Sequence, residues 1–97
     1  MFEIEFTVKA EEDVRYFRKH EQKVILDTIE KQLTWEPNIA TRNRKRLDPS
    51  DISRWELRIG ECRVFYDVNE YTCIVKIKAI GYKVHNQLFF QEKEFHI

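Results

Sequence analysis

The sequence predicts an α+β domain in which an N-terminal strand and a helical stretch pack on one face of a twisted, mainly antiparallel sheet. Three observations carry this. Hydrophobic residues alternate with period two at the N-terminus, recur at helical spacing from about residue 11 to residue 35, and alternate again after residue 54 between two turn signals.

Each element follows in order. In FEIEFTVKA, Phe2, Ile4, Phe6 and Val8 alternate with Glu3, Glu5, Thr7 and Lys9, as in a strand with one buried face. From Glu11 to about Trp35 there is no Gly or Pro, and Val14, Phe17, Val24, Ile25, Thr28, Ile29 and Leu33 form a helical stripe. Glu21 falls where that stripe should continue. The spacing therefore leaves open a helical hairpin turning near Lys19 to Gln22 or one helix bent there. WEPNIATRNRKRLDPSDIS contains both prolines and reads as loop, with a short extended piece around Arg44 to Leu47. WELRIGECRVFYDVNEYTCIVKIKAIG reads as three strands joined by two-residue turns at Gly60-Glu61 and Asn69-Glu70. The tail, YKVHNQLFFQEKEFHI, is apolar enough around Leu88 to Phe90 to dock, in no defined conformation.

Composition bounds the function classes. The 97 residues, 42% hydrophobic with two Gly and two Pro, are expected to form one domain over residues 1–97. There is no run of about 18 apolar residues, and the N-terminus carries acids where a signal peptide needs bases, so a cytoplasmic protein without a membrane partner is expected. Cys62 and Cys73 show no metal-ligand spacing and read as reduced core residues; no metal and no cofactor are expected. With two Gly there is no phosphate-cradling loop, Ser50 and Ser53 sit in no nucleophile motif, and His20 and His96 match nothing. Seventeen bases balance seventeen acids, so bulk charge predicts no nucleic-acid partner. Their distribution is uneven: residues 1–36 hold six Lys+Arg against nine Asp+Glu, and residues 37–63 hold seven against four.

Two-residue turns imply a register. Arg58 then pairs with Arg63, Trp55 with Tyr66, Arg63 with Lys76 and Tyr66 with Cys73. One face collects Trp55, Leu57, Ile59, Cys62, Val64, Tyr66, Cys73, Val75, Ile77 and Ala79 as core. The other collects Arg54, Glu56, Arg58, Arg63, Phe65, Asp67, Thr72, Ile74, Lys76 and Lys78, with Arg58, Arg63 and Lys76 in one row. Like charges directly opposite on a sheet repel, by about 0.2–1 kcal/mol per pair. A row of three cations is explained either by neighbouring acids that neutralise it or by phosphates that it binds. Phe65 beside the row offers a surface for base stacking, and RNRKR, Arg42 to Arg46, adds four bases in the preceding loop.

TRNRKRL, WELRIGECRVFYDV and IVKIKAIGYK, in that order, resemble the RelE/ParE superfamily of small bacterial toxins from type II toxin-antitoxin operons, in its RelE-like branch. The similarity covers most of the chain. Its most specific element is W-x-L-R-x-G-x-x-R-V-x-Y, met by Trp55, Leu57, Arg58, Gly60, Arg63, Val64 and Tyr66. The resemblance implies a helical hairpin on one face of a four-stranded sheet. It implies a toxin that is a ribosome-dependent, metal-independent mRNA endoribonuclease inhibiting translation. Its partners would be a cognate antitoxin, the ribosome and mRNA, with operator DNA reached only through the antitoxin complex. A ParE-like inhibitor of DNA gyrase, or a degenerate member that only binds its antitoxin, is the alternative. Carried over by position, Arg63 would bind the scissile phosphate, Lys83 would share that role, Lys45 would supply a base and His85 would act in acid-base catalysis. Arg44, Arg46, Arg58, Lys76, Lys78 and Phe65 would hold substrate.

Overall fold

A hydroxyl at Thr7 ends the N-terminal alternation. The computed structural model describes residues 1–48 and 50–95; Pro49, His96 and Ile97 lie outside the described residues, so of the two unmatched histidines only His20 is described. Strand β1 covers Glu3–Phe6 and helix α1 covers Val8–Arg15. Thr7 Oγ1 accepts the Ala10 amide at 3.1 Å and donates to the Lys78 carbonyl at 3.1 Å, so one side chain caps α1 and pins it to the sheet. Val8, expected on the buried side of a longer strand, is instead 71% exposed in the first turn of α1.

Helix α2 covers Lys19–Leu33, and the two helices form a hairpin. The break falls at residues 16–18, slightly before the predicted turn. Glu21 interrupts the apolar stripe because its Oε1 reaches back to accept the Arg18 amide at 3.1 Å, half of a capping box. The Gln22 side-chain amide donates to the carbonyls of Arg15 and Phe17, satisfying the end of α1 from the start of α2.

The sheet continues with β2 (Arg44–Arg46), β3 (Trp55–Ile59), β4 (Cys62–Asn69), β5 (Ile74–Val84), β6 (Gln87–Phe90) and β7 (Lys93–Glu94). Its order is β2-β3-β4-β5-β6-β7, with β1 parallel to β5. The class is α+β as predicted. Among the described residues the sheet has seven strands rather than four, since the basic loop contributes β2 and the tail contributes the β6–β7 pair.

β5 is 11 residues long and shares one edge between two partners. β1 pairs with its residues 74–77 and β6 with its residues 82–84. Between them α1 closes the gap: Asp13, fully buried, accepts the Ile80 amide through Oδ2 at 2.9 Å. Asp13 also accepts from Lys9 Nζ at 2.9 Å and from the Gln91 amide at 3.1 Å. The main core, beneath the helices, holds Ile25, Ile29 and Leu33 against Leu57, Val64, Tyr66, Val75, Ile77 and Ile80. Tyr66 reaches through it to donate to the Pro37 carbonyl at 2.8 Å, and burial raises its hydroxyl well above the ordinary tyrosine range.

The register of β3 on β4 is the predicted one, with Arg58 opposite Arg63 and Trp55 opposite Tyr66. That of β4 on β5 is not. Asn69 pairs with Ile74, so the connection is the four residues 70–73 rather than a two-residue turn. Asn69 Oδ1 accepts the amides of Tyr71 and Thr72, and Cys73 takes a left-handed φ of 56°. Cys73 is consequently exposed instead of in the core, and Cys62 is only partly buried; both are free thiols. A bulge follows, with Tyr66 opposite Ile77 but Phe65 opposite Ala79. Lys78 is the extra residue, and the insertion turns Ala79 to the face opposite the helices.

That second face has its own small core, in which Phe65, Ala79 and Leu88 pack with Leu47, Ile52, Phe90 and Phe95. The β5–β6 hairpin turns on His85 and Asn86, both with positive φ (51° and 67°), as a type I′ turn requires. Gly81 permits the hairpin to close: a Cβ there would lie 2.5 Å from the Phe89 carbonyl and 2.9 Å from the Phe90 ring.

Candidate active site

The predicted row of Arg58, Arg63 and Lys76 does not form. The longer turn and the bulge put Gly81, not Lys76, opposite Arg63. Lys76 stands opposite Asp67, four residues from Arg63 along β4, a displacement of about 13 Å. Its ammonium lies 3.7 Å from Glu5. The register thus removes Lys76 from the row, while Arg58 remains directly opposite Arg63.

Arg63 itself is 8% exposed. One terminal nitrogen donates to the carbonyls of Gly60 (2.7 Å) and Cys62 (2.9 Å), folding the side chain back over its own hairpin turn. Glu56 Oε1 lies 3.3 Å from Nε, and the two side chains are 9% and 11% exposed. This is an ion pair by distance, but its N–H is poorly aimed, and Arg63 Nε remains buried without a hydrogen bond.

Beside this pair is a groove of about 620 Å³ on the face opposite the helices. Phe65 and Leu88 are among its walls, with Lys45 and Arg46 from β2, Lys83 from β5 and the loop after β2. Lys45 faces Glu56 across the β2–β3 ladder, and Lys83 faces Leu88 across β5–β6. Four of the expected site residues, Lys45, Arg46, Lys83 and Phe65, therefore line one cavity. The lining is of mixed charge: Asp48, Asp51, Glu56 and Glu94 stand among these three bases. Neighbouring acids were one of the two expected explanations of the cations, and here β3, the loop and the tail all supply them.

Other expected residues lie elsewhere. Arg44 points to the helical side, donating through Nε to the Ile39 carbonyl at 3.1 Å and through a terminal nitrogen to the Gln32 carbonyl at 2.5 Å. It closes the C-terminal end of α2, where unpaired carbonyls and the helix dipole favour a cation. Arg46 lies 5.7 Å from the Trp55 ring, a cation–π contact at the groove's rim. Arg58 is exposed beside Arg63, and Lys78 occupies the bulge. His85 is exposed in its turn, four residues beyond the partner of Arg63 and so about 13 Å along the strand. Its neighbour Asn86 lines the groove.

Sequence reading passed over Glu56 as a neutralising charge. The signal for it was present, because the correct β3–β4 register sets Glu56 diagonally from Arg63 on one face. Asp13 showed only a local i,i+4 partner in Lys9, since its other two partners come from β5 and the tail.

On the helical side of the same strands, Tyr82 is stacked between Tyr16 (6.0 Å) and Phe89 (5.6 Å). A hydrogen bond with Tyr16, and then burial, push the Tyr82 hydroxyl up to about 12. Burial, reinforced by Glu21, raises the Cys62 thiol, so proximity to Arg63 does not make it a reactive thiolate.

The sequence matches no protein-family model and no curated protein. Two solved structures share the architecture. A chain of the RelBE2 toxin-antitoxin complex from Mycobacterium tuberculosis matches with a TM-score of 0.72 and 20% identity, over 84% of this chain and 98% of that one. A chain of the archaeal RelE-RelB complex from Pyrococcus horikoshii OT3 matches with a TM-score of 0.70 and 17% identity, over 87% of this chain and 97% of that one. Helical hairpin, sheet and hairpin-bearing C-terminal half together give this chain the fold of the RelE toxins.

Proposed function

We propose that this protein is the toxin of a type II toxin-antitoxin pair, an endoribonuclease that cuts mRNA on the ribosome without a metal and is silenced by a cognate antitoxin. The observation that supports it most is the convergence of Lys45, Lys83 and Phe65 on one groove, beside Arg63, in a RelE fold. Cleavage at a ribose needs a base for the 2′-hydroxyl, a cation for the charge that builds on phosphorus, and an acid for the departing 5′-oxygen. On this reading Lys45 and Lys83 hold the phosphate and donate protons; Phe65, expected as a stacking surface, is only 4% exposed and instead packs the floor beneath them with Ala79, Leu88 and Phe90. The two solved neighbours are complexes of toxin with antitoxin, and an antitoxin partner is proposed here on that likeness; operator DNA would be reached through the same complex.

The test is a purified cell-free translation system. The wild-type protein should arrest synthesis and leave cut mRNA on ribosomes, and Lys45→Met with Lys83→Met should do neither. Intact mRNA together with blocked gyrase supercoiling would overturn the nuclease reading in favour of a binding toxin. The burial of Arg63 and the distance of His85 are the two observations on the side of that second reading.

A further inference from the structure

Arg63 Nε is a buried N–H without a hydrogen bond, and the Glu56 side chain it lies against lines an open groove. An N–H left unpaired in the interior is costly, and here the cost is removed when an oxygen enters from the groove. The carboxylate nearest to it belongs to Glu56, 3.3 Å away, itself lining the groove and facing Lys45. We propose that Glu56 is the general base of the cleavage reaction, paired with Arg63 at rest and released when the scissile phosphate takes the Arg63 Nε–H. This rests on the ribonuclease reading above.

Three facts support the assignment. A base for the 2′-hydroxyl has to stand next to the cation that holds the adjacent phosphate, and Glu56 stands next to Arg63. The lysines of the groove offer donors but no acceptor in their ammonium form, so they suit the acid's role and not the base's. His85 lies about 13 Å along the strand from Arg63's partner, beyond direct reach. The remaining charged groups on the groove are Lys45 and Arg46 on β2, Asp48 and Asp51 of the loop, Lys83 on β5 and Glu94 on β7.

The step is balanced within these residues and the RNA. Glu56 takes the 2′-hydroxyl proton while the 2′-oxygen bonds to phosphorus. The P–O5′ bond breaks, and the 5′-oxygen takes a proton from the Lys83 ammonium. The products are a 2′,3′-cyclic phosphate and a 5′-hydroxyl. Arg63 couples the two halves: while it faces Glu56 it restrains the base, and once it faces phosphate the base is free.

Single-turnover cleavage of mRNA on programmed ribosomes tests this across pH with wild type, Glu56→Gln and Glu56→Asp. Glu56→Gln should slow the chemical step about 100-fold or more at an unchanged half-saturating protein concentration, and should abolish the fall in rate on the acid side. Glu56→Asp keeps a charge for Arg63 to face, so it should fold, retain the acid-side fall and cleave more slowly. Cleavage by Glu56→Gln within threefold of wild type, or an acid-side fall that is the same in both, overturns the assignment. A Glu56→Asp variant that is folded, wild-type in rate and without the acid-side fall overturns it equally. Absence of cleavage by the wild type would instead reject the ribonuclease reading on which the assignment stands.

Discussion

Asp13 and Ile80 are 67 residues apart, and the carboxylate of one accepts the backbone amide of the other at 2.9 Å in the gap between β1 and β6. Along residues 78–81 of β5 no strand covers that edge, and an uncovered buried amide would be an unpaired donor. Asp13→Ala should therefore destabilise the fold by about 1–3 kcal/mol, the cost of one buried group losing its partner. Urea unfolding measures it. Hydrogen exchange at the Ile80 amide should accelerate beyond the global change.

Gly81 makes a comparable constraint from the other side of the sheet. With the Phe89 carbonyl 2.5 Å from a Cβ, Gly81→Ala must move β6. The expected loss is about 1–3 kcal/mol, read as a lower melting temperature, with Phe90 displaced from Phe65.

Arg44 and Lys83 should separate stability from activity. Arg44→Ala removes two hydrogen bonds from a cation to carbonyls, one of them at the end of α2, and should cost about 1.5–3 kcal/mol in urea unfolding. Lys83→Gln should leave the unfolding midpoint in place while slowing mRNA cleavage about 100-fold. A fall in stability with Lys83→Gln and none with Arg44→Ala would reverse the two assignments.

His85 distinguishes turn geometry from catalysis. A non-glycine residue at φ 51° carries strain of about 1 kcal/mol, so His85→Gly should raise the melting temperature. The variant should still cleave; loss of cleavage in a more stable protein would return the histidine to the mechanism.

Tyr82 predicts an alkaline transition. Its folded-state value near 12 lies above the ordinary tyrosine value of about 10, so the folded state holds the phenol proton more tightly than the unfolded chain. That contribution is complete below about pH 10 and is lost as pH rises toward 12. Tyr82→Phe should lack this decline, measured as the unfolding midpoint from pH 9 to 12, and should lose the tyrosinate absorbance step near pH 12 while the later one of the buried Tyr66 persists.

Local sequence carried the elements whose signals are local. Alternation around Gly60 set the β3–β4 register correctly, because the turn has two residues and side chains alternate without interruption from Trp55 to Tyr66. The helical stripe was likewise legible, and Glu21 marked the break that its capping hydrogen bond makes. The same counting failed one turn later. Nothing local distinguished two turn residues from the four that Asn69 organises, and the Lys78 bulge depends on which edge of β5 meets β1, α1 and β6. From that point every cross-strand partner on β5 changed, which took Lys76 out of the expected row and left only Arg58 and Arg63 facing each other.

The residue types of the site were legible, and their neighbours were not. Alternation put Phe65 on the face opposite the helices, and Lys45 and Lys83 stood out through the family resemblance; the fold brings the three to one groove. Sequence by itself determined the α+β class, the helical hairpin as one of two options, and which strand residues face the helices near the first turn. Only the tertiary structure decided that Arg63 is buried against Glu56, that Arg44 serves a helix end, and that His85 is a turn residue. The physical reason is that these outcomes come from long-range register and from the tail folding back through Gly81. Hydrophobic alternation sorts faces, but it does not count the residues in a turn.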